Sequence, residues 1–325
     1  MRSLADWQNH RRPGRKVEGV SAVLLPYRRD GEIDEAGFRR HLRRTLMAGL
    51  RVAINMDTGY VDLLTREEKH RVLAWTSETL REGGFEPTFV AGALPAPGME
   101  CSTTAYRREC ETITSAGGIP IVFPSTLTAA LDDAALIAFF REIASATDRF
   151  LAFELGTMFN PNGRIFPEPV LRGIMEIPQC VGLKHSSLDR TTELERIELR
   201  DRLRPDFRIY SGNDLAADII EYGSDYLLGL STFAPEIFAV RDAAWARGDV
   251  GYFELRDFIQ YLGWIGFHDP VPAYKHSAAI FLKLTGSLDS DELHPRASRR
   301  EDWDRALLAD AVRRMNRLLR PADGR

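Results

Sequence analysis

The alternation of short apolar runs with longer amphipathic stretches, from residue 19 to about 235, limits this chain more than any other feature. Apolar runs occur near residues 20–26, 51–56, 87–92, 119–124, 150–155, 180–184, 207–211 and 226–231. Each has the length of a strand buried on both faces, and the segments between them carry helical signals. Asp34 precedes Glu35-Ala36-Gly37-Phe38, and Thr65 is followed by Glu67 and Glu68, both good helix starts because acids favour the first turn. Such alternation is the pattern of a parallel sheet covered by helices. Eight units close on themselves, so the expected fold is α/β, a (β/α)8 TIM barrel with helices appended after it.

The pattern divides the chain into an N-terminal extension, 1–16, the barrel, 17–235, and a C-terminal helical subdomain, 236–325. Gly248 and Asp269-Pro270-Val271-Pro272 break the last part, 286–300 has loop composition, and 301–320 returns to a mixed apolar and basic helix. The extension carries a basic cluster, Arg11, Arg12, Arg15 and Lys16, which reads as a flexible tail or a subunit contact. A formal net charge of −4 argues against a nucleic-acid partner. No apolar run approaches the roughly 20 residues of a membrane span, and the polar start lacks the apolar core of a secretory signal. The three cysteines, at 101, 110 and 180, match no zinc or redox spacing, and a cytoplasmic location is expected.

Lys184 is the residue that points most directly to chemistry. It ends the run Cys180-Val181-Gly182-Leu183 and precedes His185-Ser186-Ser187. The carboxyl ends of barrel strands are where this architecture keeps its active sites. A desolvated lysine loses its proton more readily and becomes an amine nucleophile toward carbonyls.

Several ordered segments resemble the dihydrodipicolinate synthase and N-acetylneuraminate lyase family of class I aldolases. Gly19-Val20-Ser21-Ala22-Val23-Leu24-Leu25-Pro26-Tyr27 with Asp30-Gly31-Glu32-Ile33-Asp34 is similar to the family's opening strand and loop. Glu176-Ile177-Pro178-Gln179-Cys180-Val181-Gly182-Leu183-Lys184 is similar to the segment leading to its Schiff-base lysine. Tyr210-Ser211-Gly212-Asn213-Asp214 resembles its seventh-strand signature, and Asp269-Pro270-Val271-Pro272 its turn before a closing helix. The resemblance spans about residues 17–285 by motif order. It implies a homotetramer acting without metal or cofactor on a 2-oxo acid or related carbonyl compound, through an imine to Lys184.

Departures from the family are equally specific. Its Gly-Thr-Thr-Gly-Glu loop, which holds a substrate carboxylate, stands here as Met56-Asp57-Thr58-Gly59-Tyr60. Asp57, Thr58 and Gly59 are the corresponding substrate-binding candidates, although Asp57 would repel a carboxylate unless it is protonated, bridged by water or turned away. The family's tyrosine after the fourth strand is absent from Val122-Phe123-Pro124-Ser125-Thr126. Its catalytic tyrosine after the fifth strand is absent from Phe150-Leu151-Ala152-Phe153-Glu154-Leu155-Gly156.

Strand alternation suggests a replacement. Leu151, Phe153 and Leu155 form an apolar set suited to the helix layer, which would turn Ala152 and Glu154 inward and make Glu154 the candidate proton carrier. His185 then points away from Lys184. Ser211 and Asn213, with Asp214, are expected beside the substrate after the seventh strand, and Ser231, with Thr232, after the eighth. Asn213 could equally support a turn and Ser231 a helix cap. His268, Asp269, Lys275 and His276 crowd the turn before a C-terminal helix. They invite a metal reading that no tight ligand spacing supports. A catalytically silent metabolite-binding barrel, and a divalent-metal hydrolase or isomerase, are the competing functions.

Overall fold

The computed structural model describes residues 4–319. Eight parallel strands, β1 (Gly19–Ala22), β2 (Arg51–Ile54), β3 (Phe89–Ala93), β4 (Gly118–Val122), β5 (Phe150–Leu155), β6 (Cys180–Ser186), β7 (Arg208–Ser211) and β8 (Asp225–Leu228), close in chain order. β8 pairs back onto β1. The (β/α)8 barrel read from the sequence is thus the observed fold. Burial on both faces explains the near-continuous apolar runs: Val20, Ile121, Leu151, Phe153 and Leu227 fill the interior, while Val52, Ala91, Leu183 and Ile209 meet the helix layer.

The helix starts are capped as their sequences suggest. Asp34 accepts from the Gly37 amide at 3.0 Å, and Thr65 and Glu68 form a reciprocal capping box. Gly248 ends Pro235–Arg247 at φ 67°, where its amide reaches the carbonyls of Ala244 and Trp245. Beyond it lie Tyr252–Gly266, Tyr274–Leu284 and Asp304–Leu318. Every residue from Tyr274 to Leu282 is buried, so this helix is an internal strut. Arg300 fastens it: its amide donates to His276 Nδ1 at 2.6 Å, and its guanidinium reaches the Ser277 hydroxyl and the Gly266 and His268 carbonyls.

The basic cluster of the extension is docked within the chain, which corrects the expectation of a free tail. Arg15 donates to Asp225 Oδ1 at 2.6 Å, Arg11 pairs with Glu221, and Arg12 with Asp201. Asp225 and Glu221 are buried near the amino-terminal end of the barrel, and such carboxylates require cationic partners. No helix of the described residues is long and apolar enough to cross a membrane.

One backbone approach fixes the spacing of β2 and β3. A Cβ on Gly92 would lie 1.9 Å from the Asn55 carbonyl oxygen, so no side chain fits there. Gly92→Ala is expected to cost about 3 kcal/mol or more of stability by overpacking, read as a lowered denaturant midpoint.

Candidate active site

The pleat of β5 and β6 decides what faces the pocket. Phe153 lies beside Lys184 in the register, and Glu154 beside His185. Lys184 and Phe153 point inward, with Lys184 Nζ 4.7 Å from the Phe153 ring centre. Glu154 points outward, correcting the inward orientation expected from strand alternation. The size argument fails because a barrel interior is itself a packed core that takes large apolar side chains.

On the outer face Glu154 is fully buried, and its hydrogen bonds all fall on one carboxylate oxygen while Oε1 has no partner. Its Oε2 lies 2.8 Å from His185 Nδ1 and 3.4 Å from an Arg196 nitrogen. His185 Nε2 lies 2.6 Å from the Ser187 hydroxyl, and Arg196 also donates to the Phe166 carbonyl at 2.7 Å. His185 does point away from Lys184.

Inside, Lys184 sits at the base of a cavity of about 740 Å³, open mouth included, at the carboxyl ends of the strands. Burial lowers its pKa to about 8, against the opposing pull of Asp214 and Asp57. About a tenth of the amine is then neutral at pH 7, several hundred times the fraction for an ordinary lysine. Gly212 provides the room: a Cβ there would lie 2.7 Å from Lys184 Cε and 1.9 Å from the Ser186 hydroxyl.

Opposite the lysine stands a hydroxyl chain. Thr58 Oγ1 lies 2.9 Å from the Tyr274 phenol oxygen, and that phenol donates to Asp57 Oδ2 at 2.7 Å. With its proton directed at Asp57, the phenol accepts from Thr58. Lys275 Nζ reaches Asp57 Oδ1 at 3.1 Å and Oδ2 at 3.0 Å. Protein atoms crowding the Asp57 carboxyl push its pKa up even though solvent reaches over half of the side chain, but Lys275, Tyr274 and Lys184 outweigh that push and hold the group below its usual value. Burial and then the neighbouring Asp57 raise the phenol well above its usual range, so it stays protonated. Phe267 stacks on Tyr274 at 4.3 Å, and a Cβ on Gly229 would come within 3.1 Å of the Tyr274 ring. Asp214 accepts from the Leu230 amide at 2.7 Å, and burial moves its pKa up to about 7 despite Lys184 nearby.

Among the residues expected from the sequence, Lys184, Asp57 and Thr58 converge on this cavity. Gly59 is buried in the loop behind them and donates its amide to the Met56 carbonyl. Ser211 faces the helix layer, accepting from the Asn213 amide, because the inward position at that end of β7 belongs to Tyr210. Asn213 accepts from the Leu215 amide at 3.0 Å, forming the turn that was its alternative reading. Ser231 donates to the Leu228 carbonyl at 2.9 Å and does not line the cavity. Asp57 is separated from Glu154 and His185 by the barrel wall, His268 is tied to Asp304, and His276 to Arg300. Among the described residues no group of three or more His, Cys, Asp or Glu side chains is placed to hold a metal ion.

Tyr274, Gly212 and Phe153 are site residues that sequence reasoning missed. Gly212 stood inside the quoted seventh-strand motif, and Tyr274 directly follows the proline-rich turn. Removing Glu154 leaves Arg196 buried without its carboxylate, so Glu154→Ala is expected to lose about 3–5 kcal/mol of stability, measured by chemical denaturation.

No protein-family model matches the chain. A 4-hydroxy-tetrahydrodipicolinate synthase from Kosmotoga olearia is 28% identical over 240 residues, covering 71% of this chain and 76% of the relative. Similar solved structures include the dihydrodipicolinate synthase of Thermotoga maritima (TM-score 0.77, 20% identity, 94% of this chain and 100% of that one). YagE, a prophage protein of Escherichia coli K12 solved with pyruvate, gives a TM-score of 0.80 at 16% identity, over 92% of this chain and 98% of its own. A monomeric dihydrodipicolinate synthase variant gives 0.79 at 19%, over 92% and 97%, so this fold does not by itself fix a tetramer. In sequence the chain is similar to a 4-hydroxy-tetrahydrodipicolinate synthase, and its fold is the one seen in solved dihydrodipicolinate synthases.

Proposed function

We propose that the protein is a lyase, an aldolase or dehydratase, that binds a 2-oxo acid or related carbonyl compound as an imine to Lys184. The observation that carries this reading is the position of Lys184: buried at the carboxyl end of β6, facing the cavity, with its pKa lowered to about 8. A neutral amine there attacks the carbonyl carbon to give a carbinolamine, which loses water once its hydroxyl receives a proton. The resulting iminium withdraws electrons from the adjacent carbon. A carbon–carbon or carbon–oxygen bond can then break with its electron pair held as an enamine.

Protons for these steps need a carrier, and Phe153 offers none. The Thr58, Tyr274 and Asp57 chain supports that role: two hydroxyls on the cavity wall end at a carboxylate kept ionised by Lys275. Tyr274 would give its proton to the departing hydroxyl and take the Thr58 hydroxyl proton in its place, Thr58 being reprotonated from solvent. Asp57 is open to solvent over 57% of its side chain and can exchange protons there.

Phe153 also motivates the competing reading, a silent barrel that binds a metabolite without turning it over. Borohydride reduction in the presence of pyruvate and other 2-oxo acids, followed by intact-mass measurement, separates the two. The lyase reading expects an adduct that vanishes in Lys184→Ala and forms faster as pH rises through about 8, because deprotonation creates the nucleophile. Absence of any lysine-dependent adduct would favour the silent barrel. Tyr274→Phe keeps the stack on Phe267. It should still form the adduct but exchange the substrate's adjacent protons for deuterium on the order of 10²–10⁴ times more slowly, followed by NMR in D2O.

A further inference from the structure

The cavity at Lys184 does not end at its own wall. A second cavity of about 370 Å³, open mouth included, adjoins it and shares Phe159, Asp214 and Phe267 with it. Beyond those shared residues the annex is lined by Met158, Leu188, Leu215 and Val271, with no charged side chain apart from Asp214. Its walls come from three places: the loop after β5, the ends of the β6 and β7 loops, and the turn before the helix Tyr274–Leu284.

Much of the main cavity's wall has the same apolar character. Phe123, Phe153, Phe159 and Phe267 line it with Leu94 and Leu155, and no arginine or histidine does. Its second nearby cation, Lys275, is already paired with Asp57. Apart from Lys184 the charged groups lining the cavity are the carboxylates Asp57, Asp62 and Asp214, so an anionic far end of a substrate meets no unpaired cation there, whereas apolar contact has a surface leading out of the pocket.

Resting on the imine reading of Lys184, we propose that the bound carbonyl compound carries an apolar tail, alkyl or aryl, that passes between Phe159 and Phe267 into this annex. Met158 and Leu215 are 63% and 37% exposed, and a tail lying against them removes their apolar surface from water. The annex thus discriminates among substrates by length and apolarity, while Lys184 handles the carbonyl.

The test is lysine-dependent trapping with a homologous series of linear 2-oxo acids from pyruvate to 2-oxooctanoate, plus phenylpyruvate, under borohydride. The half-saturating concentration is read for each probe. Each added methylene that enters the annex should lower it roughly three- to fivefold, until the annex is filled, and phenylpyruvate should bind more tightly than pyruvate. Leu215→Asn places an amide in the wall and should reduce the ratio between the longest and shortest probes. Half-saturation that is flat or rises with chain length, with the Lys184 adduct still forming, overturns the annex and leaves the imine chemistry standing. No Lys184-dependent adduct with any probe overturns both. The wild-type series alone decides the matter if the variant does not fold.

Discussion

Two adjacent residues on each of two paired strands decide which side chains face the cavity of this barrel. In parallel β5 and β6 the register sets Phe153 against Lys184 and Glu154 against His185. A strand alternates its side chains without exception unless a bulge intervenes, so one pair must enter the barrel and the other must leave it. The irregularity in this pair lies earlier, between Phe150 and Leu151, and leaves the upper register intact. Lys184 therefore receives an apolar neighbour, and the carboxylate that would have kept it charged lies behind the wall. Had the register slipped by one residue so that Glu154 paired with Lys184, the carboxylate would share the lysine's face and stand beside its amine.

The same geometry explains why the lysine's remaining neighbours do not cancel its depressed pKa. Asp214 and Asp57 both attract the ammonium form, yet each is compromised as a partner. Burial raises Asp214 to about 7, so near neutrality it carries only part of a charge. Asp57 is held ionised by Lys275 and takes hydrogen bonds from Tyr274 and Lys275, which divides its field between two cations. Desolvation consequently prevails at Lys184. A pocket with a free, fully ionised carboxylate beside this amine would keep it protonated and unreactive.

The fold was legible in the sequence because eight buried strands repeat one pattern and errors at single positions average out. All eight apolar runs coincide with strands, and the caps at Asp34 and Thr65 are in place. Lys184, Asp57 and Thr58 were legible for a related reason, since each stands at the carboxyl end of a strand whose position was clear. Glu154 was misplaced because both faces of a barrel strand are apolar, so hydrophobicity carries no information about which face is which. Ser211 was misplaced by the same ambiguity, one position from the inward-facing Tyr210 and Gly212. Tyr274 was invisible because its role depends on a contact 216 residues away, with Thr58.

That long-range contact changes how the C-terminal helices relate to the barrel. A division at residue 235 describes the chain's pattern but runs through its site: Thr58 and Asp57 belong to the loop after β2, while Tyr274 and Lys275 begin a helix beyond the division. The helix is buried along Tyr274–Leu282 and fastened by Arg300, which leaves the phenol little freedom. Two glycines make the convergence sterically possible, Gly212 beneath the lysine and Gly229 beneath the phenol. The barrel supplies the amine and the cavity, and the appended helix supplies the hydroxyl that faces it. A barrel cut at residue 235 would keep Lys184 and lose both the Tyr274 phenol and Lys275, the cation that keeps Asp57 ionised.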